Sequence, residues 1–205
     1  MDNSEKYLSE IKEIRKMMEE SSRFLSLSGL SGILVGIYAL IGAYLAQGII
    51  KSHVAENTAD RLPLLLPLAI LVLVLSLVTV VLLTLRRTNN AGKKFSTPGT
   101  RLMLVNLFIP LVSGGLLILI FYHREIYQVI SPGMLVFYGL ALINAAKFTR
   151  QEIFWLGIFE ISLGILAALL PIFSLYIWAL GFGVLHIIYG ILMYYRYEHN
   201  KESRS

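Results

Sequence analysis

Hydrophobic residues in this chain fall into six long runs, and most polar residues lie in the segments between them. Each run contains about 20 residues, and a helix of that length crosses a hydrocarbon layer about 30 Å thick. The pattern therefore predicts an all-α polytopic membrane protein with six transmembrane helices. The predicted spans are residues 28–50, 62–85, 102–121, 129–146, 152–170 and 173–195.

The spans make up one predicted transmembrane domain, residues 27–197, between a polar N-terminal segment and a short tail. Residues 1–26 place apolar side chains at helical spacing among charged ones, which predicts a cytoplasmic amphipathic helix. Its nearly balanced charge does not favour binding to anionic lipid. We consider two interpretations: a helix lying on its own bundle or at the interface, and a docking helix, residues 3–25, for a cytoplasmic protein. Residues 198–205 are assigned to a cytoplasmic tail.

Positive charge alternates between the two sides of the predicted membrane. The N-terminal segment, the second and fourth loops and the tail contain fifteen of the 18 Lys and Arg residues. Because positively charged loops stay in the cytoplasm, both termini are predicted to be cytoplasmic. The first 25 residues are too polar for a cleavable signal peptide, so the first span is expected to direct insertion. We expect a multi-pass protein of the bacterial inner or plasma membrane, with the lipid bilayer as its first partner.

Composition excludes several kinds of chemistry. Hydrophobic residues make up 56% of the chain and charged residues 15%; there is no cysteine, which excludes disulfides, thiol catalysis and thiolate metal sites. The net charge of +5 lies in predicted cytoplasmic segments, so it reflects topology and no nucleic acid partner is expected. The spans contain no H-E-x-x-H or G-x-S-x-G motif and no paired aspartates, and we expect no enzyme activity, cofactor or metal.

Small residues at helical spacing indicate where helices approach closely. The first span has an extended stripe of them, and the fifth and sixth spans each have one glycine-lined face. The predicted packing glycines are Gly32, Gly36, Gly157, Gly164, Gly183 and Gly190. Only a short turn around Pro171 separates the fifth and sixth spans, so we expect an antiparallel hairpin in which their glycine-lined faces pack together.

Two ionisable residues lie deep inside this predicted hairpin. Glu160 is 12 residues before Ile172 at the turn, and His186 is 14 residues after it, so both are expected at the same depth near the membrane centre. An ionised carboxylate alone in hydrocarbon costs about 3 kcal/mol or more, so Glu160 should be neutral or paired with His186.

Tyrosine hydroxyls lie at a similar depth in other spans. Tyr38, Tyr138 and Tyr189 could each complete a polar network with the Glu/His pair, although a buried tyrosine with one acceptor is also ordinary. The candidate intramembrane polar site comprises Glu160, His186, Tyr189, Tyr38 and Asn144.

The Glu/His pair has two interpretations. It can be a structural clamp that fixes hairpin register, typically worth about 0.6 kcal/mol, or a proton-linked or substrate-binding site. The few polar residues in the spans favour a non-enzymatic sensor or accessory module whose amphipathic helix binds a cytoplasmic partner. The alternative is a small-solute or proton-coupled transporter that uses Glu160 and His186. Self-association into a homo-oligomer is a further hypothesis.

Overall fold

The computed structural model describes residues 28–51, 58–90 and 98–199, together with Tyr7 and Ile11; the side chains of residues 58–63, 198 and 199 are outside this description. The described residues are helical almost throughout and include no strand. Six helices are long and apolar enough to cross a membrane, which confirms the predicted all-α polytopic fold. Apart from two residues, the predicted N-terminal amphipathic helix lies outside the described residues, as does the tail from residue 200 onward.

The six helices follow the apolar runs of the sequence. They are α1 (Gly29–Lys51), α2 (Thr58–Asn90), α3 (Pro98–His123), α4 (Ile130–Ala146), α5 (Gln151–Leu169) and α6 (Pro171–Tyr197). A short 3-10 turn, Tyr127–Val129, precedes α4. Both α2 and α3 continue past the ends of the apolar runs, because a helix that leaves hydrocarbon for water needs no further apolar residues to keep its hydrogen bonds.

Apart from α2 and α3, helices that follow one another along the chain are antiparallel neighbours, and α6 packs against α1. In the described part of the chain, the main contacts give the spatial order α2–α1–α6–α5–α4–α3. The outermost helices, α2 and α3, are the least buried of the six, and nearly all of their apolar residues lie on the surface of the bundle. Their exposed Leu, Ile and Val side chains are therefore suited to contact lipid.

Glycines allow α1 and α6 to approach until their backbones touch. A Cβ atom added at Gly36 would lie 2.5 Å from the Gly183 carbonyl oxygen, and one at Gly190 would lie 2.6 Å from the Gly29 carbonyl oxygen. Gly32 lies against Gly190 in the same seam. Because lipid is as apolar as Leu, such close contact is what holds membrane helices together.

The glycines of α5 face α4 and not α6, so the expectation that the glycine-lined faces of the hairpin pack together is wrong. A Cβ at Gly157 would lie 2.7 Å from the Gly139 carbonyl oxygen, and one at Gly164 would lie 3.0 Å from the Pro132 carbonyl oxygen. The physical reason is that α6 directs bulky aromatic side chains towards α4 and α5. The side of α6 that carries Gly183 and Gly190 is left for a close approach, and it meets α1.

Helix α6 is not a regular α-helix. A 3-10 turn, Pro171–Phe173, leads into an α-helical segment, Ser174–Ala179, and a π-helical segment, Leu180–Leu185, comes before the α-helical stretch His186–Tyr194. The wider turn of the π segment rotates the residues that follow it relative to those that precede it. Such segments are rare and occur frequently at functional sites.

Candidate functional site

Three helices each bring one polar side chain to the centre of the bundle. Glu160 stands at the middle of α5, His186 directly follows the π segment of α6, and Tyr138 lies on α4. Glu160 is 0% exposed and His186 is 4% exposed. We call these three residues the midplane triad.

His186 lies at the centre of the triad. Its Nε2 is 2.7 Å from the Tyr138 hydroxyl oxygen, and its Nδ1 is 3.0 Å from the carbonyl oxygen of Gly181. A carbonyl oxygen can only accept, so Nδ1 carries a hydrogen and donates it to Gly181. In a neutral imidazole, Nε2 then accepts the hydrogen of the Tyr138 hydroxyl.

Glu160 completes the triad without a hydrogen bond of its own. Its Oε1 is 3.4 Å from Nδ1 of His186, which is ion-pair distance, but among the described residues neither carboxyl oxygen has a hydrogen-bond partner. A Cβ atom at Gly181 would lie 2.6 Å from Oε2 of Glu160 and 2.6 Å from Leu135. The carboxyl group therefore reaches the backbone of α6 only because residue 181 has no side chain.

Aromatic rings surround the imidazole and limit its access to water. The ring of Phe182 stacks on His186 with centroids 6.0 Å apart, and it lies 5.0 Å from both Tyr138 and Trp178. Phe182 and Trp178 also pack against Leu135, which is fully buried. In such an apolar setting an unpaired charge is strongly disfavoured, so the protonation states of the three side chains depend on one another.

The π segment supplies two of the contacts that define the site. The carbonyl of Gly181 binds His186 five residues further on, and the ring of Phe182 covers the same imidazole. If this segment were regular α-helix, the Gly181 carbonyl and the Phe182 ring would both stand in different positions relative to Glu160. The irregular part of α6 is thus the part that forms the site.

The remaining predicted site residues lie elsewhere. The buried hydroxyl of Tyr189 has no partner among the described residues, and its ring belongs to an apolar cluster with Leu142 and Ile153. Tyr38 lies between α1 and α2, where its hydroxyl is 3.5 Å from Oγ1 of Thr79. The structure brings together Glu160 and His186 but does not bring Tyr38 to them.

Asn144 lies near the end of α4, away from the midplane. Its Oδ1 accepts a hydrogen bond from the Lys147 ammonium group at 3.3 Å. The contact joins side chains three residues apart on one helix end. It gives Asn144 a local partner there.

Tyr138, Gly181 and Phe182 are part of the site but not of the predicted set. Tyr138 was one of three tyrosines at suitable depth, and nothing in an apolar helix sequence fixes which way that helix is rotated. For α6 there is a weak signal, the pair of glycines at 181 and 183 around an aromatic residue, which indicates an irregular turn.

A second polar cluster joins the first turn of α5 to the last turn of α6. Oε1 of Glu152 accepts hydrogen bonds from the Arg196 guanidinium at 2.9 Å and from the Tyr197 hydroxyl at 2.8 Å. The guanidinium of Arg150 lies over the ring of Tyr197, 4.2 Å from its centroid. We call this side of the bundle the Arg150 end, and the opposite side, where α5 turns into α6, the Pro171 end.

The midplane triad consists of one phenol, one imidazole and one carboxyl group. Within the described ranges, no three His, Asp or Glu side chains are grouped closely enough to hold a metal. A comparison with family models, curated proteins and solved structures finds no match. Fold and site together define a multi-pass, all-α membrane protein with a buried Tyr–His–Glu group at its centre.

Proposed function

We propose that this protein is a non-enzymatic membrane module, a sensor or accessory subunit, in which the midplane triad binds one exchangeable proton. The observation that carries the proposal is the burial of Glu160 beside His186, with hydrogen bonds for the imidazole and none for the carboxyl group. Oε1 of Glu160 lies 3.4 Å from Nδ1 of His186, so a change of charge on the carboxyl group acts directly on the imidazole.

The net charge of the Glu160–His186 pair determines which of its protonation states is most stable. A net charge at the bilayer centre is costly, so the stable state carries one proton on the Glu160–His186 pair and is neutral overall. In the neutral imidazole, Nδ1 donates to Gly181 and Nε2 accepts from Tyr138, so neither nitrogen is available for a further proton. The exchangeable proton therefore belongs on Glu160. Loss of that proton would leave a buried carboxylate, and the helices around it would have to rearrange to stabilise the charge.

One further titratable side chain, Tyr189, lies one turn from His186 along α6. Its hydroxyl forms no hydrogen bond with the triad. No Lys, Arg, Asp or Glu of the described residues contacts the carboxyl group of Glu160. The response to protonation therefore depends on the triad itself.

Infrared difference spectroscopy tests the proposal. Protein in lipid vesicles is measured between acidic and alkaline buffer, and we expect a carboxylic acid C=O band that is lost in Glu160→Gln. Glu152→Gln is the matched control, because it removes a carboxylate of the same helix that lies in the Arg150-end cluster. Identical carboxyl bands in wild type and Glu160→Gln would refute proton binding at this residue.

A sensor must also pass its change of state to another molecule. We propose that both termini are cytoplasmic, in a bacterial inner or plasma membrane, and that residues 3–25 bind a cytoplasmic protein. The concentration of described cations at one end supports this orientation. They are Arg86, Arg87, Arg101, Lys147, Arg150 and Arg196.

A deletion of residues 1–24 should remove a soluble partner from pull-downs, and an unchanged set of partners would contradict the docking helix.

A second candidate is a small-solute or proton-coupled transporter. The observation that favours it is the π segment beside the triad, since carriers place irregular helices at midplane binding sites. Uptake driven by a pH gradient into vesicles, lost in both Glu160→Gln and His186→Ala, would support this function. A folded protein with no such uptake would leave the sensor proposal.

A further inference from the structure

Unpartnered polar atoms lead from the Pro171 end of the bundle to Glu160. Among the described residues, Ser174 Oγ, Trp178 Nε1 and Glu160 Oε2 are buried and have no hydrogen-bond partner in the protein. Ser174 and Trp178 lie one turn apart on α6, and Gly181, which touches Oε2 of Glu160, lies about one turn further. Ser174, Trp178 and the Gly181 backbone beside Glu160 therefore lie along one side of α6.

Their spacing suits bridging water. Successive turns rise about 5–6 Å, and a water molecule bonded to two groups spans about 5.5 Å, twice an O–H···O distance. Buried hydroxyl and indole N–H groups are bonded to protein or to ordered water in the large majority of cases. Water between these groups would satisfy each of them.

Among the described residues, unpartnered polar atoms do not form such a series between His186 and the Arg150 end. On that side of His186 the Tyr189 hydroxyl is buried without a partner, and the next residue on this side of α6 is Met193, which is 1% exposed. The following polar group is Tyr197, already bonded to Glu152. Tyr189 and Tyr197 are two turns apart, about 12 Å of rise, with an apolar side chain between them.

We propose that ordered water molecules bridge Ser174, Trp178 and Glu160, so that the proton reaches Glu160 from the Pro171 end. This inference rests on the proposed function, since it assumes that Glu160 binds a proton. In the final step a hydrated proton gives its H⁺ to Oε2: an O–H bond forms on the carboxylate, an O–H bond of hydronium breaks, and neutral water is left.

The test follows the Glu160 carboxyl band after wild-type vesicles are moved from H₂O into D₂O. Ser174→Val and Trp178→Phe each remove one bridging group, and we expect them to slow exchange about three- to tenfold, as one lost hydrogen bond would. Ser174→Ala removes the hydroxyl without added volume, in case valine disturbs packing. Tyr189→Phe is the matched control at the other end and should exchange at the wild-type rate.

The outcomes separate this inference from the function on which it rests. A Glu160 band that exchanges at the wild-type rate in all Ser174 and Trp178 variants overturns the water route and leaves proton binding intact. Slowing in Tyr189→Phe alone also overturns it, because the proton would then enter from the Arg150 end. Absence of any Glu160 band overturns the proposed function itself.

Discussion

Two glycine-to-alanine substitutions in α1 should change stability in opposite directions. Gly36 faces α6, where an added Cβ would lie 2.5 Å from the Gly183 carbonyl oxygen and 3.0 Å from the backbone nitrogen of Ile187. Gly48, on the same helix, has no atom within 4 Å of the position a Cβ would take. The pair therefore isolates helix contact from helix propensity.

The magnitude follows from the geometry. Ordinary contact begins at 3.4 Å, so Gly36→Ala requires α1 and α6 to separate by roughly 0.9 Å. Overpacking of this kind costs about 1–3 kcal/mol, and the better helix propensity of Ala returns about 0.5–1 kcal/mol. We expect Gly36→Ala to lose about 1–2 kcal/mol and Gly48→Ala to gain up to about 1 kcal/mol.

Reversible unfolding in lipid–detergent micelles, followed by circular dichroism during titration with a denaturing detergent, measures both values. The unfolding free energy of each variant is compared with that of the wild type. If Gly36→Ala is as stable as Gly48→Ala, the α1–α6 backbone seam is refuted, and with it the order of helices around α6.

Three further substitutions test other contacts. Tyr138→Phe leaves a buried acceptor unpartnered and should cost about 1–2 kcal/mol in the same unfolding assay, whereas Tyr44→Phe, at a site 76% exposed, should be neutral; equal effects would contradict the triad. Gly157→Ala should destabilise by about 1–3 kcal/mol and Gly115→Ala should not, because the first meets backbone and the second open space; the reverse order would contradict the α4–α5 contact. Glu152→Gln should cost under about 1 kcal/mol, since that ion pair is partly exposed; a larger loss would show that the cluster is a main source of stability.

The sequence was sufficient to predict the helices and the level of the Glu/His pair. Apolar length determines how many helices can cross a bilayer, and counting residues from the turn at Pro171 places Glu160 and His186 at one depth. Both inferences use only rise per residue and chain direction. They do not depend on how any helix is rotated about its axis.

The contacts that depend on helix rotation could not be predicted. Tyr38, Tyr138 and Tyr189 have similar depth, and an almost uniformly apolar helix gives no signal for which side faces the bundle. The same limit explains the error about the glycines: the stripe containing Gly183 marks a close contact but does not name its partner. The π segment, which positions Gly181, depends on tertiary packing as well as on local sequence.

Nitrogen-15 solid-state NMR of His186 in lipid bilayers tests the proton arrangement of the triad most directly. The signal is assigned by its absence in His186→Ala, because three other histidines occur in the chain. We predict a neutral imidazole with hydrogen on Nδ1 and none on Nε2, and a shifted Nε2 resonance in Tyr138→Phe. An imidazole protonated on Nε2, or one unaffected by loss of the Tyr138 hydroxyl, would contradict the Tyr138–His186–Glu160 proton site.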